Sequence, residues 1–298
     1  MNDIFLILIL ILSTLALFFF LYWNPRQKRK HPKEGLYFES SQGPIFYQIH
    51  GKQKDTILLL HGLGASSYCW RKLIPLLEND FTLINCDLWG FGKSSKENHQ
   101  SINLDQQMNV LIELLDELKV DQLYIAGNSM GAQIGFWMAK CFESRVKKVV
   151  ALSPATYPKL VPLYISKARW ISNWTPHIIS HNLVRSAIIN TLGNPHNISS
   201  EMVDAYLEPY LDPKSHQCFA GALHIIEDTR VYNSLQGIHT PTLLLWGERD
   251  KVIQRHIIED IAAKMPSVIL QTHPKSGHCP MEEHPKWCAE QIIPFLKS

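Results

Sequence analysis

The chain has 298 residues, of which 46% are hydrophobic and 19% charged, a composition that suits one sizeable globular domain. Its formal net charge is only +2, and five positive side chains crowd into Arg26, Lys28, Arg29, Lys30 and Lys33. The remainder is slightly acidic, which argues against nucleic acid as a partner.

The first element in chain order is the apolar stretch Ile4–Trp23, broken only by Ser13, Thr14 and Tyr22. As a helix rising ~1.5 Å per residue it would span ~30 Å, the thickness of a bilayer core. Asn24-Pro25 stops it, and the basic run Arg26–Lys33 follows. No basic side chain precedes the stretch, and its end is bulky (Phe18 to Trp23), so it reads as an uncleaved single-pass membrane anchor rather than a signal peptide. The charge asymmetry predicts that the domain following the stretch lies on the cytoplasmic side. Residues 1–35 are thus expected to be anchor and basic stem, and residues 36–298 the folded domain. The sequons at Asn173 and Asn197 would matter only in the opposite orientation.

From the stem onward, strand and helix alternate. Ile45–Ile49 and Thr56–His61 are predicted strands, Cys69–Glu78 a helix and Phe81–Cys86 a strand. Leu104–Leu118 is an amphipathic helix with Asn103 as cap. Leu123–Ala126 and Val146–Leu152 are strands flanking the helix Ala132–Cys141. Thr242–Trp246, Ile253–Lys264, Val268–Thr272 and Pro285–Leu296 continue as strand, helix, strand, helix. Continuous apolar strands such as Ile57–Leu60 and Leu243–Leu245 imply burial on both faces of a mostly parallel sheet. The interval 156–238 is too long for a loop and reads as a mostly helical cap over the carboxyl ends of the strands. Its charges balance, and its aromatics (Tyr157, Tyr164, Trp170, Trp174, Tyr206, Tyr210, Phe219) suggest an apolar substrate moiety. The six cysteines show neither CxxC pairing nor metal-ligand spacing, so they read as free thiols with no metal site.

Ser129 lies in Gly127-Asn128-Ser129-Met130-Gly131, between a predicted strand and a predicted helix. Such a turn lifts a serine hydroxyl above the sheet edge and aims helix N–H groups at what it attacks. The nucleophile needs a base, and the base needs a group to fix its tautomer. His278, in Ser276-Gly277-His278 beyond the strand Val268–Thr272, is the best base among the fourteen histidines. Asp250, just past Thr242–Trp246, is the matching acid. For the oxyanion, Met130 supplies one backbone N–H and the loop His61-Gly62-Leu63-Gly64 the other, through Leu63. His61 and the turn Asp87–Ser94 read as loop structure.

Taken together, His61-Gly62, Asp87…Gly90…Gly92…Ser94, Gly127–Gly131, Gly247…Asp250 and Gly277-His278 resemble the α/β-hydrolase fold family over about residues 36–298. The resemblance implies an eight-stranded, mostly parallel sheet, a cap between strands six and seven, and no cofactor. It also implies nucleophile, acid, base and oxyanion roles for Ser129, Asp250, His278, Leu63 and Met130. Serine at the elbow departs from the dehalogenase and epoxide-hydrolase branches, which carry aspartate there. An anchor followed by such a domain is similar to membrane-anchored monoacylglycerol lipases of the family. The expected activity is hydrolysis of a carboxylic ester of an apolar acyl group, with a small-molecule lipid or other apolar ester as substrate. The alternatives are carbon–carbon hydrolysis of the ring-fission type and a non-catalytic ligand-binding member of the fold.

Overall fold

The computed structural model describes residues 35–158, 160, 179–194 and 198–298. The predicted anchor and most of its stem, both sequon asparagines, and Tyr164, Trp170 and Trp174 of the cap lie outside the described residues. Among the described residues no helix is long and apolar enough to cross a membrane.

Alternation of apolar strands with amphipathic helices yields a sheet of eight strands among the described residues. They are β1 Leu36–Ser40, β2 Gly43–His50, β3 Thr56–Leu60, β4 Thr82–Cys86, β5 Leu123–Asn128, β6 Val146–Leu152, β7 Thr242–Gly247 and β8 Val268–His273, in the order β1-β2-β4-β3-β5-β6-β7-β8. Only the pairings β1–β2 and β2–β4 are antiparallel; from β4 to β8 every neighbour is parallel. Successive side chains of a strand face opposite ways, and both faces are covered here. Leu58, Leu60, Ile125, Val149 and Leu244 enter one core with residues of the helices Leu104–Glu117, Met130–Cys141 and Arg255–Lys264. Ile57, Leu59, Tyr124, Val150 and Leu243 enter the other with Trp70, Leu77, Ile292 and Leu296.

One local expectation changes, and one strand has no counterpart in the sequence pattern. Cys69–Glu78 is not one helix but a 3-10 turn, Ser67–Trp70, followed by the short helix Ile74–Leu77. Pro75 has no N–H to continue an incoming helix and favours a first turn, so a new one starts there. Strand β1 lacks an apolar run; Leu36 and Tyr37 are exposed at the sheet edge, and pairing with β2 forms the strand.

Between β6 and β7 lie the cap helices His181–Thr191, Ser200–Leu207, Pro213–Glu227 and Arg230–Ser234. Each of the first three starts on a side-chain oxygen that accepts a backbone N–H: Ser180, Ser199 and Asp212, at 3.3, 3.1 and 3.0 Å. Val184, Ile188, Leu192, Met202, Val203 and Leu207 knit the first two helices into a small core of their own.

Candidate active site

Parallel strands deliver their carboxyl ends to one edge, and the loops after β3, β5, β7 and β8 carry the candidate residues there. The turn after β5 is the tightest. Ser129 sits at φ 54°, ψ −115°, a left-handed conformation that costs a non-glycine residue about 1–3 kcal/mol. Its flanks must be glycine. A Cβ on Gly127 would lie 2.5 Å from the Ala132 nitrogen, and one on Gly131 would lie 2.2 Å from the Leu60 carbonyl oxygen. The elbow is therefore pressed against the helix it opens and against the end of β3. Ser129 is only 7% exposed.

Asp250 and His278 meet in a hydrogen bond, with His278 Nδ1 donating to Asp250 Oδ2 at 2.9 Å. The other carboxylate oxygen, Oδ1, accepts the N–H groups of Val252 and Ile253 at 2.8 and 2.9 Å. With its proton on Nδ1, the imidazole keeps a free lone pair on Nε2, the arrangement a general base requires. Ser129, His278 and Leu63 share the wall of one cavity. No hydrogen bond joins the Ser129 hydroxyl to the His278 ring among the described residues. Gly62 abuts the serine: a Cβ there would be 3.2 Å from Ser129 Cβ. The Leu63 and Met130 N–H groups donate to no other described residue. Met130 opens the helix Met130–Cys141, where the first N–H groups lack intrahelical partners.

The flanking loop is held by side chains that do not face the cavity. His61 donates from Nδ1 to the Gly62 carbonyl (2.8 Å) and accepts the Leu88 N–H on Nε2 (3.0 Å). Burial lowers its pKa, against the opposing pull of Asp87, so the ring is neutral. Asp87 accepts the N–H groups of Ser67 and Lys93 at 2.6 and 2.7 Å, and Ser94 Oγ donates to its carbonyl at 2.6 Å. These contacts tie three loops into one rim.

Several contributors escaped the sequence. Asn128 Nδ2 donates to the carbonyls of Leu152 (3.2 Å) and His278 (3.0 Å), bracing the elbow against the histidine loop. Its place beside Ser129 was a signal; its reach across the sheet edge was not. Glu282, 2% exposed, pairs with Arg71 at 2.7 Å and accepts the Tyr206 hydroxyl. Cys69 and Cys279 also line the cavity, yet burial pushes both thiols well above their ordinary pKa, so neither offers a thiolate nucleophile.

The cavity encloses about 710 Å³ and is mostly aliphatic and aromatic, with Leu183, Val184, Ile188, Met202, Phe219 and Leu223 in its wall. Of the cap aromatics, Tyr206, Tyr210 and Phe219 reach it, whereas Tyr157 packs edge-on against Tyr232 with ring centroids 5.4 Å apart. Among the described residues the wall holds no lysine or arginine. No cluster of three metal-ligating side chains occurs among them either.

This chain is similar to known hydrolases over most of its length. It is 29% identical to the uncharacterized hydrolase YugF of Bacillus subtilis, over 88% of this chain and 94% of that one. It is 25% identical to a 2-hydroxy-6-oxononadienedioate/2-hydroxy-6-oxononatrienedioate hydrolase of Pseudomonas putida, covering 85% of this chain and 91% of the other. The solved meta-cleavage product hydrolase of Pseudomonas fluorescens shares the fold at a TM-score of 0.77 with 18% identity, covering 88% of this chain and 97% of that one. The family model for the alpha/beta hydrolase fold matches residues 55–285, and with the sheet order and cap described above, the chain belongs to the alpha/beta hydrolase fold family.

Proposed function

We propose that this hydrolase cleaves carboxylic esters of apolar acyl groups through an acyl-enzyme on Ser129. The observation that carries the reading is the strained serine in the wall of a largely aliphatic 710 Å³ cavity shared with a histidine that donates to a buried aspartate. In the proposed reaction Ser129 Oγ attacks the ester carbonyl as His278 Nε2 takes its proton. Asp250 holds the Nδ1 proton and stabilises the imidazolium, and the Leu63 and Met130 N–H groups receive the oxyanion. The imidazolium then protonates the departing alkoxide. Water, deprotonated by His278, attacks the acyl-enzyme and releases the carboxylic acid.

Carbon–carbon hydrolysis of a dienoate is the second reading, favoured by the P. putida relative. A dioate substrate would bring a second carboxylate into the cavity, where the described wall offers Glu282 and no lysine or arginine. That weighs toward a neutral ester. The apolar stretch Ile4–Trp23 supports a further element of the proposal, an anchor that keeps the domain at a membrane with its basic flank in the cytoplasm. Alkaline extraction and protease protection in sealed vesicles test it; release by alkali refutes anchoring.

A fluorophosphonate probe should label the wild-type protein and leave Ser129→Ala unlabelled. Wild type should then turn over p-nitrophenyl esters, with long acyl chains accepted. Cleavage of a dienoate with every ester inert would refute the ester reading.

A further inference from the structure

We propose that Glu283 is a positioning residue that makes the docked cap a condition for proton transfer by His278, an inference that rests on the serine-hydrolase reading above. Glu283 ends the short helix Pro280–Glu283, five residues beyond His278. Its Oε1 accepts the N–H of Gly277, the residue before the histidine, at 2.8 Å. Its Oε2 accepts the N–H of Gly193, just past the cap helix His181–Thr191, at 2.7 Å. The N–H groups of the neighbouring Asn194 and of Cys279, the residue after the histidine, add to the same carboxylate. One carboxylate thus joins the cap to the loop that carries the base.

The joint is close. A Cβ on Gly193 would stand 2.6 Å from the Gly277 nitrogen, and a Cβ on Gly277 would stand 2.3 Å from the Gly193 nitrogen. The last residue of the cap helix completes it, since the Thr191 carbonyl accepts the His278 N–H at 2.8 Å. Asn128 holds the His278 carbonyl from the opposite side. The histidine backbone is therefore gripped between the elbow and the cap, while Asp250 orients only the ring. Burial raises the Glu283 carboxyl pKa and its N–H donors oppose that rise. The side chain makes no ion pair among the described residues, so these N–H groups are what hold it. A base displaced by about 1 Å loses on the order of a hundredfold in rate, so a slack joint disarms the site without touching a reacting atom.

Glu283→Gln tests the assignment. A glutamine has one acceptor oxygen and turns an NH₂ toward one of the two glycine N–H groups, so one strand of the joint opens. The expected result is a fall in kcat on p-nitrophenyl butyrate of about 10- to 100-fold with KM within about threefold. The rate constant for fluorophosphonate labelling of Ser129 should fall by the same factor, since it too needs the base. Gly193→Ala, which wedges the same joint without altering the carboxylate, should lower both rates. The double variant should be no slower than the worse single one, as expected of two changes that break one link. Unchanged labelling, a rise in KM alone, or multiplicative effects in the double variant would each overturn the proposal. If the wild-type protein is labelled but cleaves no ester, the ester reading fails while the labelling rates still decide the role of Glu283.

Discussion

Replacing Asp250 by asparagine exchanges one oxygen for an NH₂, and the surroundings dictate which way the new amide faces. The Val252 and Ile253 N–H groups both donate to Oδ1, at 2.8 and 2.9 Å. Turning the amide nitrogen toward them would forfeit both bonds, at about 1 kcal/mol each plus the penalty of two facing donors. The amide oxygen therefore stays on the loop, and the NH₂ points at His278 Nδ1. The imidazole answers by presenting a lone pair at Nδ1 and moving its proton to Nε2. That is the wrong tautomer, because Nε2 can no longer accept the Ser129 proton. Loss of tautomer and of charge support together is worth about 4–5.5 kcal/mol, or 10³–10⁴ in rate, by analogy with the same exchange in a serine protease. The hydrogen-bond count around residue 250 is unchanged, so stability should shift by no more than about 1 kcal/mol. Single-turnover acylation and fluorophosphonate labelling measure the first effect, and urea unfolding the second. A loss of rate below tenfold in a protein of wild-type stability would refute the assignment of Asp250 as the orienting acid.

Ser129→Gly should abolish activity yet stabilise the fold by about 1 kcal/mol, because glycine accepts φ 54° without strain while giving up some unfolded-state entropy; a lower urea midpoint than wild type would show that the elbow stores no strain. Tyr210→Phe should raise stability by about 1–3 kcal/mol, since the buried Tyr210 hydroxyl has no hydrogen-bond partner among the described residues; a drop in melting temperature would contradict this. His61 gives the fold an acid sensitivity. Its folded pKa lies below the 6.5 of the unfolded chain, so stability is full above pH 6.5 and falls as pH drops from there toward the folded value. Urea midpoints at pH 7.5 and 5.5 should differ less in His61→Gln than in wild type, and an equal pH slope would refute the linkage.

The central sheet was legible because strands such as Ile57–Leu60 and Leu243–Leu245 are apolar on both faces, and the structure buries both. The elbow was legible for a steric reason, since only glycines fit two positions to either side of Ser129. Asp250 and His278 could be singled out because parallel strands send their carboxyl ends to one edge. Other features depend on contacts between distant segments and leave no local trace. Strand β1 forms by pairing with β2, with three of its five residues exposed. Glu283 reads in sequence as an ordinary acid in a helical turn, and only the arrival of Gly193 and Asn194 from the cap gives it partners beyond its own loop. The same holds for Asn128, whose reach to the His278 carbonyl spans 150 residues of chain. Which cap aromatics face the cavity was equally hidden, because a helical stretch shows its apolar face without naming the neighbour it meets.

Among the described residues strand β8 has a single hydrogen-bonded neighbour, β7, and stands at the sheet margin with Ile269 half exposed. The loop it feeds carries His278, whereas Ser129 follows β5 from the middle of the sheet. Sheet margins open at lower free energy than central strands. The proposed nucleophile is therefore carried by a strand paired on both sides, and the proposed base by a strand paired on one. Under the proposed mechanism, local opening of that margin would silence the chemistry while the elbow stays in place, so activity would be lost before the domain as a whole unfolds.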